Sequence, residues 1–288
     1  MFERILLPLD GSELAEKTLP YGKELGKRLG SELVLFHACP PDHQEYQHMH
    51  QSYIQNMART LAGDGQVRTT TKVETGKPRE SICTIVEKSD IDLIIMTTGG
   101  TSGVNIPLLG SVADHVCRAV PIPVMLIKPQ AAEQAKGKAR LVNRILLPFD
   151  GSELSKQALP VAEELAAKLK VPIVLFQMVQ IIYPYAAADT AFIDYTKLTK
   201  DEEERVRAEM AALEKELKGK GLDTSNVVTT GTDAASEIIE VGKKVGADLV
   251  VMSTHGRSGL SRWVFGSVAE KVLRQGEAPL LLVNARAS

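Results

Sequence analysis

An eleven-residue stretch occurs twice in this chain with a single change. Arg4–Leu14 reads RILLPLDGSEL and Arg144–Leu154 reads RILLPFDGSEL, with Leu9 exchanged for Phe149 at an offset of 140. The agreement returns downstream, where Asp92–Thr98 (DLIIMTT) matches Asp248–Thr254 (DLVVMST) and Gly110–Ala113 (GSVA) matches Gly266–Ala269, now at an offset of 156. The growth of the offset from 140 to 156 places sixteen additional residues in the middle of the second copy. A duplication on this scale divides 288 residues into two domains of ordinary size. The first domain is read as 1–128, a linker as 129–140, where PQAAEQAKGKA is polar and small, and the second domain as 141–288.

Within each copy, short apolar runs alternate with helical patterns. Ile5–Leu9 is apolar without alternation, as for a strand buried on both faces. A helix is predicted from Ser12, a candidate N-cap, to about Gly30, with Leu14, Leu19, Leu25 and Leu29 on its apolar side. Further strands are predicted at 32–38, 68–73, 92–97 and 124–128, with helices at 77–88 and 111–120. The second copy repeats the strands near 144–149, 172–178, 225–230, 248–253 and 279–283. Strands joined by helices require parallel, right-handed crossovers, so the expected fold is α/β: two tandem, doubly wound, Rossmann-like parallel sheets of five strands. The insert 181–199 carries Tyr183, Tyr185, Phe192 and Tyr195 and is read as a packed excursion, whereas 201–219 is a charged helix with a solvated face.

Composition excludes several classes of partner. A formal charge of −2 gives no electrostatic footprint for nucleic acid or an anionic membrane. The longest apolar runs, such as 121–127 and 278–283, are too short to span a bilayer. The segment MFERILLPLD carries charge inside its apolar run, which argues against a secretory leader. Cys39, Cys83 and Cys117 all fall in the first copy and read as reduced, buried thiols, so a cytoplasmic location is expected. His37, His43, His48 and His50 lie close in sequence and are read as part of a polar, histidine-containing helix; their spacing matches no closed zinc site. There is no G-x-x-x-x-G-K-[ST] loop, and no G-x-G-x-x-G follows the first strand.

Ligands of open parallel sheets bind beyond the carboxyl ends of the strands, where the strand order switches. Three repeated features fall there: Asp10-Gly11-Ser12 and Asp150-Gly151-Ser152 after the first strand, a Gly-rich loop after the fourth, and Gly110-Ser111 and Gly266-Ser267 at the start of the last helix. Glycines let backbone N–H groups approach an anion, and a helix N-terminus attracts one. A structural reading competes, in which the glycines serve a turn and the serines cap helices. The second loop, HGRSGLSRWVFGS, supplies Arg257 and Arg262, whereas the first has no cation and contains Pro107. No acid partner is evident for His255, so no catalytic residue is assigned.

These residues resemble the universal stress protein family over nearly the whole chain, in two consecutive copies. The family loop has the form G-x-x-G, nine residues, then G-[ST]; here Thr97 and Ser253 stand at its first position, while Gly100, Gly110 and Ser111, and Gly256, Gly266 and Ser267, keep the rest. The resemblance implies a five-stranded, adenine nucleotide alpha hydrolase-like fold with ATP, with or without Mg²⁺, across the strand ends. In the first copy the implied contacts are Pro8, Asp10, Ala38, Thr97, Gly100, Gly110, Ser111 and Val112. In the second they are Pro148, Asp150, Met178, Met252, Ser253, Gly256, Arg257, Gly266, Ser267 and Val268. Asp10 and Asp150 would lie by the adenosine, Ala38 and Met178, ending strand two, would meet the adenine edge, and the glycines and serines would hold phosphate. The last strands, 124–127 and 280–283, are expected to pair as a pseudo-dimer within one chain, with a homodimer as a further possibility. An ATP-binding regulatory or stress role is the leading reading; the alternatives are a slow ATP hydrolase or phosphotransferase, and a scaffold without nucleotide.

Overall fold

The computed structural model describes residues 1–284 apart from 64, 66, 100–108, 136, 139, 182–193 and 255–265. The first half runs β1 (Arg4–Pro8), α1 (Glu13–Glu16), α2 (Leu19–Leu29), β2 (Glu32–Cys39), a 3₁₀ turn at Pro41–Tyr46 and α3 (Gln47–Ala62). It continues through β3 (Arg68–Thr75), α4 (Pro78–Lys88), β4 (Leu93–Thr97), α5 (Ser111–Ala119) and β5 (Val124–Ile127). After α6 (Pro129–Ala135) the second half runs β6 (Ile145–Phe149), α7 (Glu153–Lys156), α8 (Leu159–Leu169), β7 (Ile173–Gln180) and α9 (Tyr195–Gly219). It ends with β8 (Thr224–Gly231), α10 (Ala234–Val245), β9 (Leu249–Ser253), α11 (Ser267–Gln275) and β10 (Leu280–Val283).

The predicted strands are all present, and the two parallel sheets have joined. Antiparallel pairing of Val124 with Leu282, Met125 with Leu281 and Leu126 with Leu280 makes one sheet of ten strands. Its order is β3-β2-β1-β4-β5-β10-β9-β6-β7-β8, so each half switches direction between its first and fourth strands. Alternate strand residues feed opposite cores. Ile5, Leu7, Leu33, Leu35, Ile145 and Leu147 pack under α2, α3, α8 and α9. Leu6, Val34, Phe36, Leu146, Val174 and Phe176 pack against α4, α5, α10 and α11. Burial on both faces explains why these strands read as unbroken apolar runs.

Three predicted elements differ in detail. The helix expected from Ser12 to Gly30 is two helices, because Pro20 in the first turn of α2 has no N–H to offer a continuous ladder. The Thr18 hydroxyl fills the break by donating to the Ala15 carbonyl at 2.7 Å. Residues 129–135, expected as polar linker, form α6, with Ala131 and Ala132 buried. Tyr195–Thr199, assigned to the insert, is already the first turn of α9; Tyr183, Tyr185 and Phe192 lie outside the described residues. The solvated face expected of this helix carries ion pairs, Arg207 with Glu203 and Lys218 with Glu214, while Val206, Met210 and Leu217 face the core.

Paired side chains lock the start of each first strand against the opposite half. The Glu24 carboxylate accepts the N–H groups of Leu141 and Val142, and Arg28 donates to the Val142 carbonyl at 2.6 Å and the Leu169 carbonyl at 2.5 Å. In the duplicate position, Glu164 lies 2.9 Å from the Met1 nitrogen, and Lys168 donates to the Met1 carbonyl at 2.7 Å. Arg28 and Glu24 are themselves paired at 2.7 Å with little exposure, so removing the arginine leaves a mostly buried carboxylate without its counter-ion and two carbonyls without this donor. Arg28→Met is expected to lower unfolding free energy by about 2–3 kcal/mol, read as a drop in urea midpoint at unchanged slope.

Candidate functional site

The mouth of the crevice is built alike in both halves. Gly11, with φ +86°, and Gly151, with φ +82°, turn the chain sharply after the first strand. This lets one oxygen of Asp10 accept the Ser12 N–H at 3.0 Å and the Ser12 hydroxyl at 2.5 Å. Asp150 does the same with Ser152, at 2.9 and 2.6 Å. Each serine then caps the following helix, Ser12 accepting from the Ala15 N–H and Ser152 from the Ser155 N–H, both at 3.1 Å. The Asp-Gly-Ser triplet is therefore a turn and a cap, with the aspartate at the exposed rim.

Opposite it stand the ends of β4 and β9. Thr98 donates its N–H to Ile127 at 3.1 Å and accepts that of Gly110 at 2.7 Å. Thr254 donates to Val283 and accepts from Gly266, both at 2.9 Å. The same pair of bonds thus pins both ends of each Gly-rich segment. A Cβ on Gly110 would stand 3.3 Å from the Thr98 carbonyl oxygen, and one on Gly99 would stand 3.3 Å from Leu14 of α1. Gly110 and Gly266, not the serines, are the N-caps of α5 and α11, and no side chain caps either helix. The capping role read for Ser111 and Ser267 is therefore corrected: both are first-turn residues. The first bond within each helix runs from Asp114 to Gly110 and from Glu270 to Gly266. By helical geometry, the N–H groups of Ser111, Val112 and Ala113, and of Ser267, Val268 and Ala269, have no partner inside their helices. Such an end carries partial positive charge and favours an anion.

The remaining candidates are distributed around this mouth. Pro8 ends β1 and Pro148 is the last residue but one of β6, paired with Phe36 and Phe176. Ala38 and Met178, expected to end strand two, lie inside β2 and β7, which run on to Cys39 and Gln180. β1 stops at Pro8, and Phe36 offers its carbonyl to the Leu9 N–H at 2.8 Å. Backbone groups alternate sides along a strand, so the N–H and C=O of Ala38 face the same side just beyond the end of β1. Thr97 is buried at 5% exposure with its hydroxyl donating to the Gly99 carbonyl at 2.6 Å; Ser253 is buried beside Met252 at the end of β9. Gly100, Gly256, Arg257, Arg262 and His255 lie outside the described residues.

Beneath the first mouth the halves differ. His37 is on β2, within the strand predicted at 32–38; it is buried, its Nδ1 bonds the Leu9 carbonyl at 2.8 Å, and its ring stacks on His50 of α3 at 4.6 Å. Tyr53 meets the His37 ring edge-on at 5.9 Å and donates to Glu16 at 3.0 Å. The corresponding positions of the second half are Gln177, Val206, Glu209 and Lys156. Among the described residues no three histidine, cysteine or acidic side chains converge as a metal site, and no helix is long and apolar enough to cross a membrane.

Taken together, a sheet switching direction between first and fourth strands, with an uncapped helix N-terminus at each switch, defines a tandem doubly wound α/β protein. The sequence profile of the universal stress protein family matches residues 1–128 and 142–284. The chain belongs to that family, as a tandem member. A universal stress protein of Methanocaldococcus jannaschii is 30% identical over 146 residues, which are 50% of this chain and 83% of that protein. One from Mycobacterium bovis is 26% identical over 207 residues, covering 70% of this chain and 65% of its own length. A crystal structure of a universal stress protein from Archaeoglobus fulgidus superposes with a TM-score of 0.72 at 20% identity, over 98% of this chain and 96% of that one.

Burial, and then the neighbouring His50, lower the pKa of His37 from its ordinary 6.5, against the raising effects of the Leu9 carbonyl and Asp10. The folded state thus prefers the neutral ring, and this contribution to stability is present above pH 6.5 and lost as the pH falls through the folded value. Urea midpoints taken from about pH 7.5 down to about pH 5 are expected to fall, and to fall less in His37→Gln, which carries the second half's residue.

Proposed function

We propose that the protein binds ATP, with or without Mg²⁺, across the strand ends and serves a regulatory role in the stress response. The observation that carries this reading is the twice-built mouth: a pinned Gly-rich segment delivering an uncapped helix N-terminus opposite an Asp-Gly-Ser turn. Backbone N–H groups of α5 and α11 are the phosphate donors in this reading, with Gly110, Ser111 and Val112, or Gly266, Ser267 and Val268, at the contact. The crevice-facing backbone of Ala38 or Met178 offers a donor and an acceptor to the adenine edge, and Asp10 or Asp150 sits at the ribose side. Thr97 spends its hydroxyl on Gly99 and is buried, which is compatible with phosphate approach despite the missing first glycine. The second half is the better site, because its loop brings Arg257 and Arg262 where the first brings Pro107.

Mass spectrometry of small molecules released on denaturing the purified protein is expected to find an adenine nucleotide. In calorimetry with Mg·ATP, Gly266→Val is expected to weaken the second site by about tenfold or more, the loss of hydrogen bonds to a charged group. A folded variant with unchanged ATP affinity would rule out this assignment. A protein that is empty as purified and takes up no added Mg·ATP would leave the scaffold reading.

A further inference from the structure

Lys128 and Asn284 hold the same place in the two copies, each directly following its last strand and 156 positions apart. Neither remains in its own half. The Lys128 ammonium donates to the Arg274 carbonyl at 2.8 Å and the Gly276 carbonyl at 2.5 Å, where α11 ends. The Asn284 amide donates to the Cys117 carbonyl at 2.9 Å and to that of Val120, where α5 ends. Antiparallel pairing of β5 and β10 makes this exchange possible, since the end of each strand meets the foot of the other half's last helix.

The two helices thus capped are those whose N-termini face the candidate sites, and the caps are tied back to the loops. Asn284 also meets the Thr254 hydroxyl, at 3.3 Å, and Thr254 holds Gly266, the N-cap of α11, through its carbonyl. At the other end of α11 stands Lys128, next to Ile127, whose carbonyl holds Thr98, which in turn holds Gly110 at the start of α5. The path therefore closes on itself: first site, α5, Asn284, Thr254, second site, α11, Lys128, Thr98, first site.

We propose that Lys128 and Asn284 couple the two anion sites, so that filling one raises the affinity of the other; this rests on the nucleotide reading above. An anion at the start of a nine-residue helix and a donor at its end act on the same dipole, about 13 Å apart along a stiff rod. A ligand that fixes one helix fixes the cap at its foot, and with it the Thr98–Gly110 or Thr254–Gly266 contact of the other half. The second ligand then meets a frame already ordered and binds more tightly. Linkage makes the effect reciprocal. Partial burial lowers the Lys128 pKa, against the raising effect of Glu277, consistent with an ammonium held at the seam instead of in open solvent.

The test uses the full chain and Mg·ATP. In Gly110→Val, which disables the first site, the second is expected to bind about fivefold or more weakly than the same site of a wild-type chain whose first site is filled. With only that second site filled, amide exchange is expected to slow at Thr98 and Gly110–Ala113 of the empty half. Lys128→Met should abolish this distant protection while the second site still fills, and Lys128→Arg, which keeps a donor, should restore it. Asn284→Leu serves as a second variant should Lys128→Met not fold. Uptake of nucleotide with independent sites, or protection confined to the half that is filled, overturns the coupling alone. No uptake by the wild type overturns the nucleotide reading and the coupling with it.

Discussion

The antiparallel seam between β5 and β10 is the constraint on which the rest of the molecule depends. Both strands are four residues long and fully buried, VMLI against LLLV. Alone, either half would end in a bare apolar edge with a row of unpaired N–H and C=O groups, the template for aggregation. Joining the edges removes the hazard and builds one core on the α2–α3–α8–α9 face that crosses the whole sheet. It also reverses one half relative to the other, so that the carboxyl ends of one half's strands lie beside the amino ends of the other's. The crossed caps at Lys128 and Asn284 follow from that reversal.

Around the seam the duplication is kept in geometry more strictly than in chemistry. The Glu24–Arg28 clamp and the Glu164–Lys168 clamp hold equivalent backbone with different cations. The crossed caps use an ammonium on one side and an amide on the other. Under the first mouth, stacked histidines fill the place that Gln177 and Val206 take in the second half. Backbone positions were retained because the sheet dictates them; side chains were free to diverge wherever another donor of similar reach would serve.

That bias towards backbone runs through the candidate sites as well. Asp10 and Asp150 each commit one oxygen to a turn, Ser12 and Ser152 cap helices, and Thr97 closes a bend. Among the described residues, what remains for an anion is main-chain N–H at two helix starts where glycine, lacking a Cβ, lets the chain pass close to Thr98 and Thr254. A site of this kind depends on chain path, which is why a valine at one glycine is a sharper perturbation than most side-chain truncations.

The sequence by itself determined the duplication, the ten strands and their parallel α/β winding, because burial on both faces leaves an apolar run in every strand but the edge strands β3 and β8, and the repeat supplies it twice. It also brought the Asp-Gly-Ser turns and the Gly-Ser helix starts to the correct sheet edge, since the switch-point rule needs only strand order. Local chemistry was less legible: Pro20 split a helix that periodicity joined, and Ala38 and Met178, expected to end strand two, lie inside β2 and β7. Only the tertiary structure decided contacts between residues far apart in the chain. His37 meets His50 across a strand and a helix, Glu24 meets Leu141, and Lys128 and Asn284 meet the opposite half's last helices. The reason is physical: periodicity encodes which face of an element is buried, whereas a hydrogen bond between distant groups exists only after the sheet has fixed where each element ends.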